Sequence, residues 1–215
     1  MTNIILPNSL TSIGDRAFAS CRSLTSVRIP DSVTNLGYHA FVVCRSLGNV
    51  QVGNGVTHLT QNAFGGCVVL TTVIIGNQVT NIDGGAFWDC GNLAGIYFKG
   101  NAPATDANTF ARALNATVYY LPGTTGWGPT FGGRPTALWQ PQVQTRDGSF
   151  GMRTNRFGFN IAWASGMIVV VETCTNLTNP LWSPLQTNTL AGDSFYFSDP
   201  AWTNYSRRFY RLRSP

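Results

Sequence analysis

Two histidines, five cysteines and nine carboxylates are the side chains through which this 215-residue chain could do acid–base, nucleophilic or metal chemistry. His39 and His58 have no Cys or carboxylate at a triad or ligand spacing, so neither is set up as a general base beside a nucleophile. Asp15, Asp31, Asp83 and Asp89 stand singly, without the oxygen-rich loop that calcium requires. No CxxC pair offers zinc a ligand set. These residues predict no catalytic centre, no metal and no cofactor. Asn115, Asn176 and Asn204 each open an Asn-x-Ser/Thr triplet, which matters only in a cell that glycosylates such sites.

The cysteines carry information of another kind. Cys21, Cys44, Cys67 and Cys90 are each 23 residues apart, and each sits between a Phe and a Leu three residues to either side. A period of roughly 20–50 residues is the signature of a solenoid. A disulfide framework would vary its spacing, so these four read as buried, reduced thiols packed as small hydrophobes, with Cys174 apart from them.

Within one copy the apolar positions are Leu10, Ile13, Ala17, Phe18, Cys21, Leu24, Val27 and Ile29. Val27 and Ile29 alternate as in a strand, whereas Phe18, Cys21 and Leu24 follow the three-residue spacing of a short helical turn. Pro30-Asp31-Ser32 and Gly53-Asn54-Gly55 mark the bends after the strands. One copy cannot cover its own apolar side, but stacked copies can. Parallel strands are expected around Ile4–Leu6, Val27–Ile29, Val50–Val52, Val73–Ile75 and Ile96–Phe98.

The frame I-x-x-x-A-F-x-x-C-x-x-L-x-x-V-x-I, met from Ile13 to Ile29 and repeated through Phe98, resembles the BspA-like leucine-rich repeats of bacterial surface proteins and some protists. The resemblance implies an α/β leucine-rich-repeat solenoid, right-handed, with one parallel sheet. It also implies a non-catalytic role in adhesion or recognition, outside the cell or at its surface.

A fifth copy keeps Phe110 in register and replaces Cys by Ala113, with Tyr119 and Leu121 expected at the inward strand positions. Residues 101–137 read as a degenerate cap, and 1–137 as the solenoid. After Pro135 the period ends. Residues 138–215 read as a small all-β sandwich, with strands at 157–163, 167–173, 182–185, 194–197 and 208–212, and Trp163, Trp182 and Tyr210 in its core. Its strand order resembles a fibronectin-type module, and its ending resembles a C-terminal domain of large secreted bacterial proteins, which implies attachment or spacing.

The net charge is +5, with six Arg against three acids in residues 151–215. No Lys/Arg block accompanies them, so a solvated strand face is expected and nucleic acid is not a partner. No apolar run reaches the ~18 residues of a membrane span. Met1 leads straight into a repeat without a leader pattern, so either the sequence is a monomeric piece of a longer chain, the favoured reading, or the protein stays inside the cell.

Alternation sends the residues between the inward strand positions to the outer face of the sheet. They form two columns. One is Asn3, Ser26, Asn49, Thr72 and Gly95; the other is Ile5, Arg28, Gln51, Ile74 and Tyr97. The second column changes type from copy to copy while the inward positions hardly vary. It is the candidate binding strip, for a protein or glycan ligand. The alternative function is a structural spacer or anchoring segment with no ligand of its own.

Overall fold

In the computed structural model, which describes residues 4–214, the chain divides into two compact units, Met1–Trp139 and Gln140–Pro215. In the first unit each coil contributes one strand to a single sheet: β1 (Ser26–Arg28), β2 (Asn49–Gln51), β3 (Thr72–Ile75), β4 (Gly95–Phe98) and β5 (Thr117–Tyr120). A terminal hairpin of β6 (Thr130–Phe131) and β7 (Arg134–Leu138) completes it, in the order β6-β7-β5-β4-β3-β2-β1. All neighbours are parallel except β6 and β7. The constant repeat length sets the register, so that Val27 pairs with Val50, Val50 with Val73 and Val73 with Ile96.

Ile4–Leu6 forms no strand of this sheet, contrary to expectation. Ile4 and Leu6 pack half-buried against the core and Ile5 is 91% exposed, so the alternation persists without the ladder. Asn3 lies outside the described residues.

A second set of short parallel ladders joins Ser12–Ile13 to Asn35–Leu36, and His58–Leu59 to Asn81–Ile82 and Ala104–Thr105. Between these ladders and the sheet lies the core. Phe18, Phe41, Phe64, Phe87 and Phe110 stack in one column, with centroids 5.0–5.7 Å apart and planes within 11° of parallel. Phe41, Phe64 and Phe87 are fully buried, whereas Phe18 is partly exposed. The thiols stand beside the rings, each donating to the Phe carbonyl of the coil before: Cys44 to Phe18 at 3.0 Å, Cys67 to Phe41 at 3.2 Å, Cys90 to Phe64 at 3.3 Å. Cys44, Cys67 and Cys90 are buried and unpaired as expected, but Cys21, in the first coil, is only half-buried.

The Phe-x-x-Cys segment closes a hydrogen-bonded turn, Cys21 N–H donating to the Phe18 carbonyl at 3.2 Å, but it does not extend into a helix; no α-helix occurs among the described residues, and the α/β class gives way to a nearly all-strand solenoid. The reason is local. Arg16, His39, Asn62 and Gly85, and again Ser20, Val43, Gly66, Asp89 and Arg112, have left-handed backbone, at φ +54° to +75°. A left-handed residue on each side of the Phe breaks the run of α conformation that intrahelical bonds need. Alternate N–H groups donate to the next coil instead, Phe18 to Ala40, Phe41 to Ala63 and Phe64 to Ala86 at 2.8–2.9 Å, while those between them donate three residues back within the coil. A third column of intercoil bonds results.

The fifth coil closes differently from the reading of the sequence. Val118, not Tyr119, is the inward residue, paired with Ile96. Phe110, Ala113 and Ala116 keep the 23-residue register, so one residue has been dropped between Ala116 and Val118. The hairpin then lays Phe131 against Phe98, Phe110 and Trp127. Its turn residue Gly132 (φ +54°) sits on the Phe110 ring, where a Cβ would come within 2.7 Å.

The second unit holds two antiparallel sheets. One has β8 (Gln142–Gln144), β9 (Gly151–Arg153), β10 (Arg156–Ala162) and β13 (Ser194–Asp199), with β10 pairing all three others. The other has β11 (Ile168–Cys174) between β12 (Ser183–Thr189) and β14 (Phe209–Arg213). Tyr210 of β14 meets the rings of Phe157, Phe159 and Phe197 and donates to Asp199 at 2.7 Å. Trp163 is buried, but Trp182 is a half-buried surface ring lying under the Arg211 guanidinium at 4.5 Å. The C-terminal arginines are not merely solvated: Arg211 and Arg213 clamp the buried Glu172 at 2.6 and 2.8 Å, and Arg208 pairs with Asp199 at 3.0 Å.

Candidate functional site

The outward residues of the parallel strands fall into one cross-strand row because every coil enters the sheet in the same register. Arg28 pairs with Gln51, Gln51 with Ile74, Ile74 with Tyr97, and Tyr97 with Tyr119. Four of the five strip residues are thus neighbours on β1 to β4. The fifth, Ile5, lies off the sheet, yet it lines the same open hollow of about 470 Å³ as Arg28, Gln51 and Ile74. Arg28 Nη1 donates to Gln51 Oε1 at 3.1 Å, which fixes the amide on the face.

Tyr97 belongs to a different neighbourhood. Its ring stacks on Tyr119 at 4.8 Å and meets Trp139 at 5.0 Å. It folds back over Gly95, where a Cβ would lie 2.6 Å from the ring, so the glycine in the companion column makes room for it. Burial pushes the Tyr97 phenol above its ordinary value, and Tyr119 adds to the shift. The strip therefore has two parts: an open aliphatic–amide–cation section over β1–β3, and an aromatic section over β4 and β5. Tyr119 was missed from sequence because the fifth copy drops one residue, which turns it outward, and Trp139 because it reaches Tyr97 from just beyond β7, outside the repeat.

The histidines also differ from the reading of spacing. His58 Nε2 lies 2.8 Å from Asp83 Oδ1, and Asn81 Nδ2 donates to the same oxygen at 3.0 Å. A separation of one repeat plus two residues brings them together, so a search for conventional triad spacing overlooks the pair. Asn81 Nδ2 also lies 2.9 Å from His58 Nε2, so the ring edge is shared between an amide and a carboxylate. His39 Nε2 meets Asn62 Nδ2 at 3.3 Å. Among the described residues, no group of three or more His, Cys, Asp or Glu is placed to hold a metal, and no helix is long and apolar enough to cross a membrane.

Residues 1–117 match the model of the BspA type leucine rich repeat region, in six copies. A leucine rich cell surface protein from Faecalibacterium prausnitzii A2-165 is similar in structure at 30% identity and a TM-score of 0.52, over 60% of this chain. The chain spans 36% of that protein's length. A leucine rich repeat protein from T. pallidum aligns at 22% identity with a TM-score of 0.40, over 56% of this chain and 73% of its own. No curated protein matches the chain.

Proposed function

The chain belongs to the BspA-type leucine-rich repeat family, and from that premise we propose that it is a non-catalytic recognition module that engages a partner protein through its sheet face. One observation carries the reading. Inward positions repeat almost unchanged, while Arg28, Gln51, Ile74 and Tyr97 change type at each step of an unbroken cross-strand row. A cation, an aliphatic and an aromatic side by side are the makings of an interface centre. The similar F. prausnitzii protein is a cell surface protein, which supports an extracellular or surface location for this one.

Residues 140–215 we read as a small β-sandwich that attaches or spaces the repeat unit; the Tyr210 contacts between its two sheets support this. The competing reading is a spacer with no ligand. The test is adhesion of the whole chain to immobilised extracellular-matrix proteins, comparing wild type with Arg28→Ala plus Ile74→Ser. Both changes lie on the outer face and leave the Phe column intact. Loss of binding by the double variant supports the strip; adhesion unchanged removes it, and no adhesion by wild type favours the spacer.

A further inference from the structure

A second surface, sharing no residue with the strip, lies where the short ladders give way to the column of left-handed turns. It is an open groove of about 820 Å³ lined by Tyr38, Asn62, Asp83, Trp88 and Asp106 around Gly84 and Gly85. The positions equivalent to these glycines carry Tyr38 and His39 in the second coil and Gln61 and Asn62 in the third, so the fourth coil makes a notch by dropping its side chains. Neighbouring polar groups occupy the space released. A Cβ at Gly85 (φ +75°) would stand 2.2 Å from Asn62 Oδ1, and one at Gly84 would stand 2.8 Å from Asp106 Oδ2.

The polar groups are held in place. Asp83 is fixed through Oδ1 by His58 and Asn81. Asp106 Oδ1 accepts the Asn108 N–H at 2.8 Å. Two large rings flank them, Tyr38 at 50% exposure and Trp88 at 39%, the latter with the Arg112 guanidinium 5.6 Å from its centroid. Exposed rings beside planar carboxylate and amide groups match one ligand chemistry. A sugar ring lays its apolar C–H face on an aromatic and offers its hydroxyls to acceptors with two lone pairs per oxygen. Carboxylates on this wall disfavour an anionic ligand.

We propose that this groove binds a neutral oligosaccharide, independently of the sheet face. The test is saturation-transfer NMR on the whole chain with separate hexasaccharides of glucose, mannose, galactose and N-acetylglucosamine. The proposal expects transfer to the ring protons of at least one, weakened about tenfold by Trp88→Ala and by Tyr38→Ala. Arg28→Ala plus Ile74→Ser should leave it unchanged. Melting curves identify any variant that has lost its fold, and two separately placed rings keep one such failure from deciding the matter. No transfer at about 1 mM sugar would overturn the proposal. So would equal binding by both folded ring variants, or a Lys-rich peptide that occupies the groove where no sugar does.

Discussion

Tyr97 and Tyr119 lie face to face on neighbouring strands, centroids 4.8 Å apart and planes 9° from parallel, although 22 residues rather than 23 separate them. The missing residue turns the fifth strand so that Val118 enters the core and Tyr119 joins the outer face. Gly95 makes the arrangement possible by leaving its Cβ position to the Tyr97 ring. Gly95→Ala therefore has to displace the ring and break the stack. The expected loss is about 1 kcal/mol, the worth of an aromatic pair beyond its buried area, with a changed near-ultraviolet circular dichroism. An unaltered spectrum would contradict this placement of Tyr97.

Truncations along the Phe column should differ by position. Phe64 is fully buried between Phe41 and Phe87, so Phe64→Ala should cost ~3–5 kcal/mol in urea unfolding. Phe18 is partly exposed and, among the described residues, stacks on one ring, Phe41, so Phe18→Ala should cost clearly less. Equal losses would mean that the coils do not form a graded stack.

How far the sequence discloses this fold depends on how strictly it repeats. The Phe, Cys, Leu and Val frame of the first four copies is legible because each inward residue recurs at a fixed interval and meets its own kind. The turn column is not, because Phe, Cys and Leu three apart fit a helical turn equally well. What decides against a helix is the left-handed backbone at Arg16, His39 and Val43, residues whose identity does not announce it. The His58–Asp83 contact and the groove around Gly84 and Gly85 likewise depend on side chains from different coils, which only the stacked structure brings together.

The thiols should separate in native alkylation. Cys21 is half-buried and should react first. Burial pushes the Cys90 thiol up to about 12, and contact with Cys44 together with burial raises Cys67 as well. The reactive thiolate is then scarce at both at neutral pH. Mass spectrometry should find Cys21 labelled long before Cys67 and Cys90, and all four labelled after denaturation. Recovery of bridged pairs instead would contradict a column of free thiols.

The second unit should lose stability in acid through Glu172. Arg213 and Arg211 hold its carboxylate and lower its pKa from the ordinary value. A carboxylate with a depressed folded-state pKa contributes stability above its unfolded pKa, and that contribution disappears as pH falls through the folded value. Melting temperature should therefore fall on acidification below the ordinary glutamate range. Glu172→Gln should flatten that dependence, and an unchanged slope in this variant would show that the clamp is not its source.

The measurement that bears most directly on the recognition face is site-specific photo-crosslinking of the whole chain to the immobilised matrix proteins. A photoreactive residue at Gln51 stands in the middle of the outer row; one at Arg45 stands on an exposed turn outside both the row and the groove and serves as the comparison. A sheet-face interface predicts a covalent adduct with a matrix protein from position 51 and none from position 45. Adducts from 45 alone, or equal adducts from both, would contradict it.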